Sequence, residues 1–424
     1  MSLLITTVGT TQYQETTYSF SEELRYTTCY VAEAVARLKP VDQVVFLLTP
    51  KARAAHWEKL QSCFSAIEKP VEIAACDIPE GQTEAEIWQI FDVLVDAVPA
   101  HAQVIFDITH AFRSIPILVL LGAAFLRIAK NVQIQGLYYG LYVSGQTETP
   151  IIDLTPALSL LDWLTATDQF IATGSAVQLG ALLQTVHQDF YRLRKPGKDE
   201  PKPVLLQKFG SAIQDVSRSI ELIRPISLIE RDLSKLIRQS TTALAQEVGI
   251  FAKPFGLLLE QVQQSYISLA LATEKATVKE KIAKQFLLLE WYVERRFTVH
   301  ALLLAREWVV SAFCVLTGRD DYCKRDHRVE MEKQLNAIAH RYDGHDGEPP
   351  QPIEAYVADV QALATFWSRL GTYRNDLAHV QMNEAPLRSQ ALEHFALTEL
   401  LPTLRCLFPE LVHPANPLAE TVAW

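Results

Sequence analysis

Short β-rich apolar runs alternate with helical apolar spacing over about the first 150 residues, and this alternation constrains the fold most strongly. Runs this short, separated by amphipathic helices, are typical of a parallel sheet covered by helices on both faces. In such doubly wound sheets, ligands bind at the carboxyl ends of the strands. The pattern predicts strands at 3–8, 43–48, 71–75, 103–106 and 133–139, and helices at 21–38, 52–67, 84–98 and 115–130.

The β-rich runs end near residue 158, and only helical spacing of apolar residues follows. The chain is therefore predicted to be an α/β Rossmann-like domain, with a mostly parallel doubly wound sheet, followed by an all-α part. We expect three segments: 1–157, a helical linker region at 158–275, and a C-terminal domain at 276–424. The predicted helices of this half lie at 204–222, 229–248, 282–316 and 355–370.

Composition excludes several classes of protein. The formal net charge of −10 argues against broad electrostatic binding to nucleic acid, although a small basic site within an acidic body is compatible with it. Six scattered cysteines predict neither a disulfide framework nor a thiolate zinc site. The start of the chain lacks the features of a signal peptide, and the apolar stretch 115–128 is too short to span a bilayer. We therefore expect a cytoplasmic protein without a membrane partner.

A polar turn follows the first predicted strand. Gly9 allows close backbone approach, and Thr10, Thr11 and Gln12 supply hydroxyl and amide groups that hold phosphates or base edges. The turn is not GxGxxG, so a dinucleotide cofactor is not indicated. The alternative is an ordinary helix-capping turn.

A second polar turn follows the fourth predicted strand. Pro116 marks a helix start, which places the polar residues of this turn beside a helix N-terminus that favours an anion. Asp107 is expected to be structural, because a bare carboxylate would repel that anion. The alternative for His110 and Arg113 is a surface cap with a salt bridge. The predicted ligand-binding residues of this turn are Thr109, His110, Arg113 and Ser114.

Near the C-terminus, Arg374, Asn375 and His379 form an R-x4-H motif with asparagine after the arginine. Metal-free RNA cleavage needs proton transfer, which histidine performs, and stabilisation of phosphorane charge, which arginine performs. Because residues five apart on a helix lie about 140° apart, we expect Arg374 at a helix entry or bend. The alternative is a surface salt bridge. A second match, Arg295 to His300, lies in an apolar helix and is interpreted as structural.

The segments TTVGTTQY and DITHAFRSIP resemble the two ligand-binding motifs of CARF domains, most closely those of the CARF–HEPN ribonucleases of type III CRISPR systems. RN-x3-H and AREWVVSAF resemble the HEPN ribonuclease motif and the helix before it. The resemblance implies a homodimer that binds cyclic oligoadenylate across the CARF–CARF interface and cuts single-stranded RNA without a metal. Cyclic tetra-adenylate is the first expectation for the activator and cyclic hexa-adenylate the second.

Two other functions stay open at this point. The CARF-like domain could itself cleave the cyclic oligoadenylate that it binds, with Thr10 or Thr11 positioning a ribose hydroxyl. Alternatively, the chain could be a non-enzymatic nucleotide-gated regulator. We see no basic recognition helix for DNA. Two further clusters are weighed against surface roles: a candidate RNA-contacting strip of Lys324, Arg325, His327 and Arg328, and a disfavoured metal cluster of His340, Asp343, His345 and Asp346.

Overall fold

The computed structural model of the chain describes residues 2–67, 70–110, 115–143, 145–193, 197, 200–273, 275–344, 349–382 and 384–412. It divides into two compact units, an N-terminal unit (Met1–Asp162) and a helical unit (Trp163–Trp424). The boundary falls inside one helix, Thr155–Thr173. The predicted boundaries at 157/158 and 275/276 stay predictions.

The N-terminal unit is built on an eight-stranded sheet with the order β3-β2-β8-β7-β6-β1-β4-β5. The first strand pairs in parallel with β4 on one side and with β6 on the other. The chain therefore leaves β1 toward β4 and β5, then returns to β6, so the topological switch lies between β1 and β6. The strands are β1 Ser2–Thr7, β2 Thr16–Ser19, β3 Arg25–Thr28, β4 Gln43–Leu48, β5 Glu72–Asp77, β6 Gln103–Asp107, β7 Gln133–Gly140 and β8 Glu148–Asp153.

The central strands are apolar on both faces because each face is covered by helices. Along β1, Leu3 and Ile5 pack into one core, whereas Leu4 packs into the core on the opposite face. This arrangement confirms the predicted α/β fold. The helices of this unit are α1 Val31–Leu38, α2 Pro50–Ser65, α3 Glu84–Asp96 and α4 Ile115–Ala129, followed by the start of α5 Thr155–Thr173.

The predicted helix at 21–38 is wrong in its first part. Arg25–Thr28 is a strand that pairs antiparallel with Thr16–Ser19, and the helix begins only at Val31. The pairing is supported by a cross-strand hydrogen bond of 2.8 Å between the hydroxyls of Thr17 and Thr27. A non-local partner thus decides the conformation of this segment. The other predicted elements of the unit are present with bounds shifted by one or two residues.

The helical unit packs around one apolar core that includes buried residues from Trp163 to Val412. Helix Thr298–Leu316 lies in it, and the indole N–H of Trp308 donates to the Ile282 carbonyl at 2.9 Å. Among the described residues, this helix alone is long and apolar enough to cross a membrane, and 67% of its apolar window is buried. After α5, the helices of eight or more residues are α6 Val177–Leu193, α7 Val204–Glu221, α8 Thr242–Phe251, α9 Lys253–Ile267, α10 Val278–Glu294, α11 Thr298–Leu316, α12 Arg325–Tyr342, α13 Val360–Ala378 and α14 Leu400–Leu407.

Shorter turns of helix connect these elements. They are Pro225–Ser227, Leu228–Asp232 (a π-helix), Leu233–Gln239, Pro352–Tyr356 (a 3₁₀-helix), Ser389–His394, Phe395–Glu399 (a π-helix) and Pro409–Val412.

Two long helices predicted for this unit are interrupted. The predicted helix at 282–316 is broken between α10 and α11, where Arg296 adopts φ +59°. The amides of Arg296 and Phe297 donate back to the carbonyls of Val293 and Tyr292, which closes α10 with a Schellman turn. The predicted helix at 229–248 is likewise broken at residues 240–241. Apolar spacing continues across both breaks, so periodicity alone did not reveal them.

Candidate functional site

The two polar turns lie at the same edge of the sheet. They follow β1 and β6, which are neighbours paired in the registers Ile5 to Phe106 and Thr6 to Asp107. A Cβ added at Gly9 would lie 3.5 Å from the His110 carbonyl oxygen, so the turns nearly touch. Thr10, Thr11 and Gln12 are exposed, and Thr109 and His110 are half-buried. Arg113 and Ser114 lie outside the described residues.

Asp107 holds the second turn together. It is 2% exposed and accepts hydrogen bonds from the Thr6 hydroxyl (2.6 Å) and from the Thr109 amide (3.0 Å) and hydroxyl (2.6 Å). Burial raises the pKa of this carboxyl, and the three hydrogen bonds oppose that rise. Its predicted structural role is confirmed. The Thr109 hydroxyl also accepts from the Gly140 amide at 2.8 Å, so the fold itself uses this hydroxyl.

We expect Asp107→Ala to lower the free energy of unfolding by about 3 kcal/mol, because one buried donor of Thr6 and two half-buried donors of Thr109 lose their acceptor. Asp107→Asn keeps an acceptor oxygen of the same shape and is expected to cost about 1 kcal/mol. Urea denaturation of both variants measures the difference. Equal losses for alanine and asparagine would contradict the assignment of this stability to the hydrogen bonds.

Four ring side chains form a group beside the first turn, which the sequence did not reveal. Tyr13 lies 4.0 Å from His110 and 5.1 Å from His56 between ring centroids. The Tyr30 hydroxyl lies 2.9 Å from His56 Nδ1. The Tyr13 hydroxyl accepts from the Gly9 amide at 2.7 Å. Burial lowers the pKa of His110 to about 4, and burial also lowers the pKa of His56, so both imidazoles are neutral near pH 7.

An apolar face continues from the second turn along α4. Its residues repeat every three or four positions on α4, which places them on one stripe. Aromatic contacts link that stripe to α3. A stripe of large exposed side chains on a helix is typical of an interaction surface. We call it the α3–α4 face; its exposed members are Trp88, Ile117, Leu121, Phe125 and Ile128, which are 59%, 64%, 55%, 46% and 90% exposed.

In the helical unit, the predicted position of Arg374 at a helix entry or bend is wrong. Arg374 lies inside α13 (Val360–Ala378), and His379 caps the C-terminal end of that helix. The Gly371-Thr372 pair does not interrupt it, because glycine costs only about 1 kcal/mol in a helix and the packing of Trp367 and Leu370 holds the helix in place.

The motif side chains nevertheless come together at the end of α13. Asn375 and His379 are four residues apart, which places them on one face of the helix, and both are exposed. Arg374 contacts Asn375, because its Nη1 donates to Asn375 Oδ1 at 3.1 Å. Asp376, in contrast, is 6% exposed and accepts from the Leu387 amide at 3.1 Å, so it anchors the chain after the helix. The structure therefore separates two exposed side chains, Asn375 and His379, and the half-buried Arg374 from a buried structural carboxylate.

The turn after His379 carries backbone strain. Val380 and Gln381 have φ of +53° and +66°. The Gln381 amide donates to the Asp376 carbonyl at 3.2 Å and the Val380 amide to the Leu377 carbonyl at 3.1 Å, which is a Schellman turn. A β-branched residue is strained in this left-handed position, which favours glycine.

We expect Val380→Gly to raise the free energy of unfolding by about 1 kcal/mol, because relief of left-handed strain exceeds the entropy that glycine adds to the unfolded chain. Val380 is 73% exposed, so little packing is lost. Chemical denaturation measures the change, with Val380→Ala as the matched control that keeps a Cβ. A glycine variant no more stable than the alanine variant would refute the strain.

The second R-x4-H match is structural, as predicted. The Arg295 guanidinium stacks on Trp291 at 4.2 Å and donates to the Ile171 carbonyl at 3.4 Å. His300 packs against Tyr292 and Phe297, and burial lowers its pKa.

The candidate RNA-contacting strip and the disfavoured metal cluster have less structural support as functional sites than the R-x4-H motif. Arg328 of the candidate RNA strip is engaged by the Glu307 carboxylate at 2.6 Å and the Ser311 hydroxyl at 2.8 Å, so it is not free to bind RNA. Among the described residues, no three histidine, cysteine, aspartate or glutamate side chains are grouped to hold a metal ion. His345 and Asp346 lie outside the described part.

Comparison with known proteins identifies the type of the N-terminal domain. Residues 3–141 match the family described as CRISPR system endoribonuclease Csx1, CARF domain. The chain is also 32% identical over 171 residues to CRISPR-associated protein MJ1674 of Methanocaldococcus jannaschii. The chain therefore contains a domain of the CARF type. Its N-terminal unit is the CARF domain, and both polar turns lie within the matched residues.

The similarities differ in how much of each chain they cover. The match to the Methanocaldococcus protein covers 38% of this chain and only 25% of that protein. A solved structure, Enterococcus italicus Csm6 bound to cyclic hexa-2′-fluoro-hexa-dAMP, aligns over 97% of this chain and 95% of its own at 12% identity. Its TM-score of 0.38 is too low to carry over either the fold of the helical unit or the ligand.

Proposed function

We propose that this CARF protein is a cyclic-oligoadenylate-activated, metal-independent endoribonuclease of type III CRISPR antiviral defence, acting on single-stranded RNA in the cytoplasm. One observation supports it above all. A CARF domain of the Csx1 type occurs in one chain with Arg374, Asn375 and His379, gathered at the exposed end of a helix in a separate unit.

The proposed sensor site is the crevice between the two polar turns. Its exposed hydroxyl, amide and backbone groups suit the phosphates and base edges of a ring of adenylates, at the edge of the sheet where ligands bind. Cyclic tetra-adenylate is our first choice of activator and cyclic hexa-adenylate the second. The proposed ligand-binding residues are Gly9, Thr10, Thr11, Gln12, Thr109, His110, Arg113 and Ser114.

We propose that the protein is a homodimer joined through the α3–α4 face. This face is apolar, exposed and begins directly after the second turn. A twofold axis beside it would set two copies of the crevice next to each other. A cyclic ligand with the same symmetry would then contact both copies.

The proposed cleavage step is an in-line transesterification in the region 276–424, which we assign as a HEPN-type ribonuclease domain. The ribose 2′-oxygen bonds to phosphorus while the bond from phosphorus to the 5′-oxygen breaks. One His379 takes the 2′-hydroxyl proton, and the His379 of a second protomer gives a proton to the leaving oxygen. Arg374 stabilises the charge on the phosphorus oxygens, and Asn375 orients Arg374. The products are a 2′,3′-cyclic phosphate and a 5′-hydroxyl.

The direct test is RNA cleavage by the full chain in EDTA, with cyclic tetra-adenylate, with cyclic hexa-adenylate and without either. We expect one ring to stimulate cleavage and the fragments to end in cyclic phosphate. Absence of cleavage with both rings, or cleavage only when a divalent ion is restored, would contradict the proposal. Chromatography of the ring after incubation shows whether the CARF domain also degrades it.

A further inference from the structure

Three polar groups of the CARF domain are hidden by one side chain, Tyr13. The Gly9 amide, at the heart of the first turn, donates to the Tyr13 hydroxyl at 2.7 Å and is not free to bind a ligand. The Nε2 atoms of His56 and His110 are buried and have no hydrogen-bond partner among the described residues. Both imidazoles pack against the Tyr13 ring, at 5.1 Å and 4.0 Å between centroids.

Two unpaired buried nitrogens in rings that pack against the same side chain call for a physical reason. A polar atom buried without a partner costs free energy, and native structures keep few of them. The Nδ1 of His56 is satisfied by the Tyr30 hydroxyl at 2.9 Å. The Thr11 backbone is near enough to oppose the fall in the His56 pKa, but Nε2 makes no hydrogen bond of standard geometry and stays open to another molecule. A neutral imidazole with its proton on Nε2 donates to a phosphate oxygen, as the Gly9 amide also does.

The structure has room for the Tyr13 side chain to move. Tyr13 lines a cavity of about 460 Å³ on the α1–α2 side of the first turn, together with Gln12, Tyr30, His56 and Lys59. Rotation of the phenol into this cavity would break its bond to Gly9 and uncover both imidazoles. Tyr13 therefore contacts both the first turn, where the cyclic oligoadenylate is proposed to bind, and this cavity.

We infer that Tyr13 is a gate over a concealed phosphate-binding site made of the Gly9 amide, His56 Nε2 and His110 Nε2. This inference rests on the proposed function for the identity of the ligand, a phosphodiester of the ring, but not for the existence of the gate. It adds His56 to the ligand-binding residues. Binding is then coupled to opening, because only the open state offers all three donors.

Calorimetric titration of the full chain with cyclic tetra-adenylate and cyclic hexa-adenylate tests the gate. Tyr13→Phe keeps the stacked ring but frees the Gly9 amide, so the Kd should fall about fivefold, the ratio that one neutral hydrogen bond represents. The control is Tyr26→Phe, which removes a hydroxyl from another wall of the same cavity and should leave the Kd unchanged. An equal or higher Kd for Tyr13→Phe overturns the gate.

His56→Phe and Tyr30→Phe form a matched pair, because both lose the hydrogen bond between Tyr30 and His56 and only the first removes Nε2. We expect His56→Phe to raise the Kd about tenfold and Tyr30→Phe to leave it near the wild-type value. Equal Kd values for the two variants overturn the role of His56.

A measurement without cyclic oligoadenylate separates failure of the gate from failure of the proposed function. Diethyl pyrocarbonate modifies accessible imidazoles, and mass spectrometry locates the product. In Tyr13→Ala, His56 and His110 should react several times faster than in the wild type, while the exposed His101 reacts equally in both. Unchanged modification rates at His56 and His110 overturn the gate, whether or not cyclic oligoadenylate binds. A wild-type chain that binds neither cyclic tetra-adenylate nor cyclic hexa-adenylate contradicts the proposed function instead.

Discussion

Arg374→Ala and His379→Ala should each lower ring-stimulated RNA cleavage by about 10³-fold, because one removes the charge that stabilises the phosphorane and the other the proton-transfer group. Arg374→Lys should recover only part of the activity, since lysine keeps the charge but not the bidentate fork. Asn375→Ala should have a smaller effect, because Asn375 acts through its bond to Arg374. Rates from single-turnover cleavage of a labelled RNA measure each loss.

Two checks keep this prediction specific to catalysis. The variants should bind cyclic tetra-adenylate or hexa-adenylate with the wild-type Kd. They should unfold near the wild-type temperature, because Asn375 and His379 are exposed and Arg374 is only half-buried. His394→Ala, which removes another exposed histidine of the helical unit, should cleave normally. Full cleavage by both Arg374→Ala and His379→Ala would remove the motif from the mechanism.

Leu121→Glu should convert the proposed dimer into monomers. Leu121 is 55% exposed in the middle of the α3–α4 face, so glutamate is tolerated in the folded monomer. In a twofold interface the change appears twice, and two buried unpaired carboxylates should raise the dimer dissociation constant by about 1,000-fold, or ~4 kcal/mol. Sedimentation equilibrium measures this constant, and loss of ring binding and of RNA cleavage should accompany it.

Leu24→Glu is the matched control, since Leu24 is an exposed leucine of the same domain outside the α3–α4 face. It should leave mass, ring binding and cleavage unchanged. A wild-type chain that is monomeric at micromolar concentration, or a Leu121→Glu variant that stays dimeric, would place the interface elsewhere.

Local sequence patterns were sufficient to predict the strands that are buried on both faces. The runs that become β1, β4 and β6 are continuously apolar because helices cover both faces, and such runs are readable without knowledge of their partners. Strand β3 was not readable, because Arg25–Thr28 becomes a strand only by pairing with Thr16–Ser19. The break between α10 and α11 was hidden for a similar reason, since apolar spacing continues through a Schellman turn.

The sequence by itself determined the α/β order of the CARF domain, its two strand-end turns and the RN-x3-H motif, because short-range spacing encodes each of them. Only the tertiary structure decided that Tyr13 packs against both His56 and His110, and that Asp376 is buried while Asn375 and His379 face solvent. The reason is physical. Such contacts join residues far apart in the chain, and packing selects them among many pairings that the same local pattern allows.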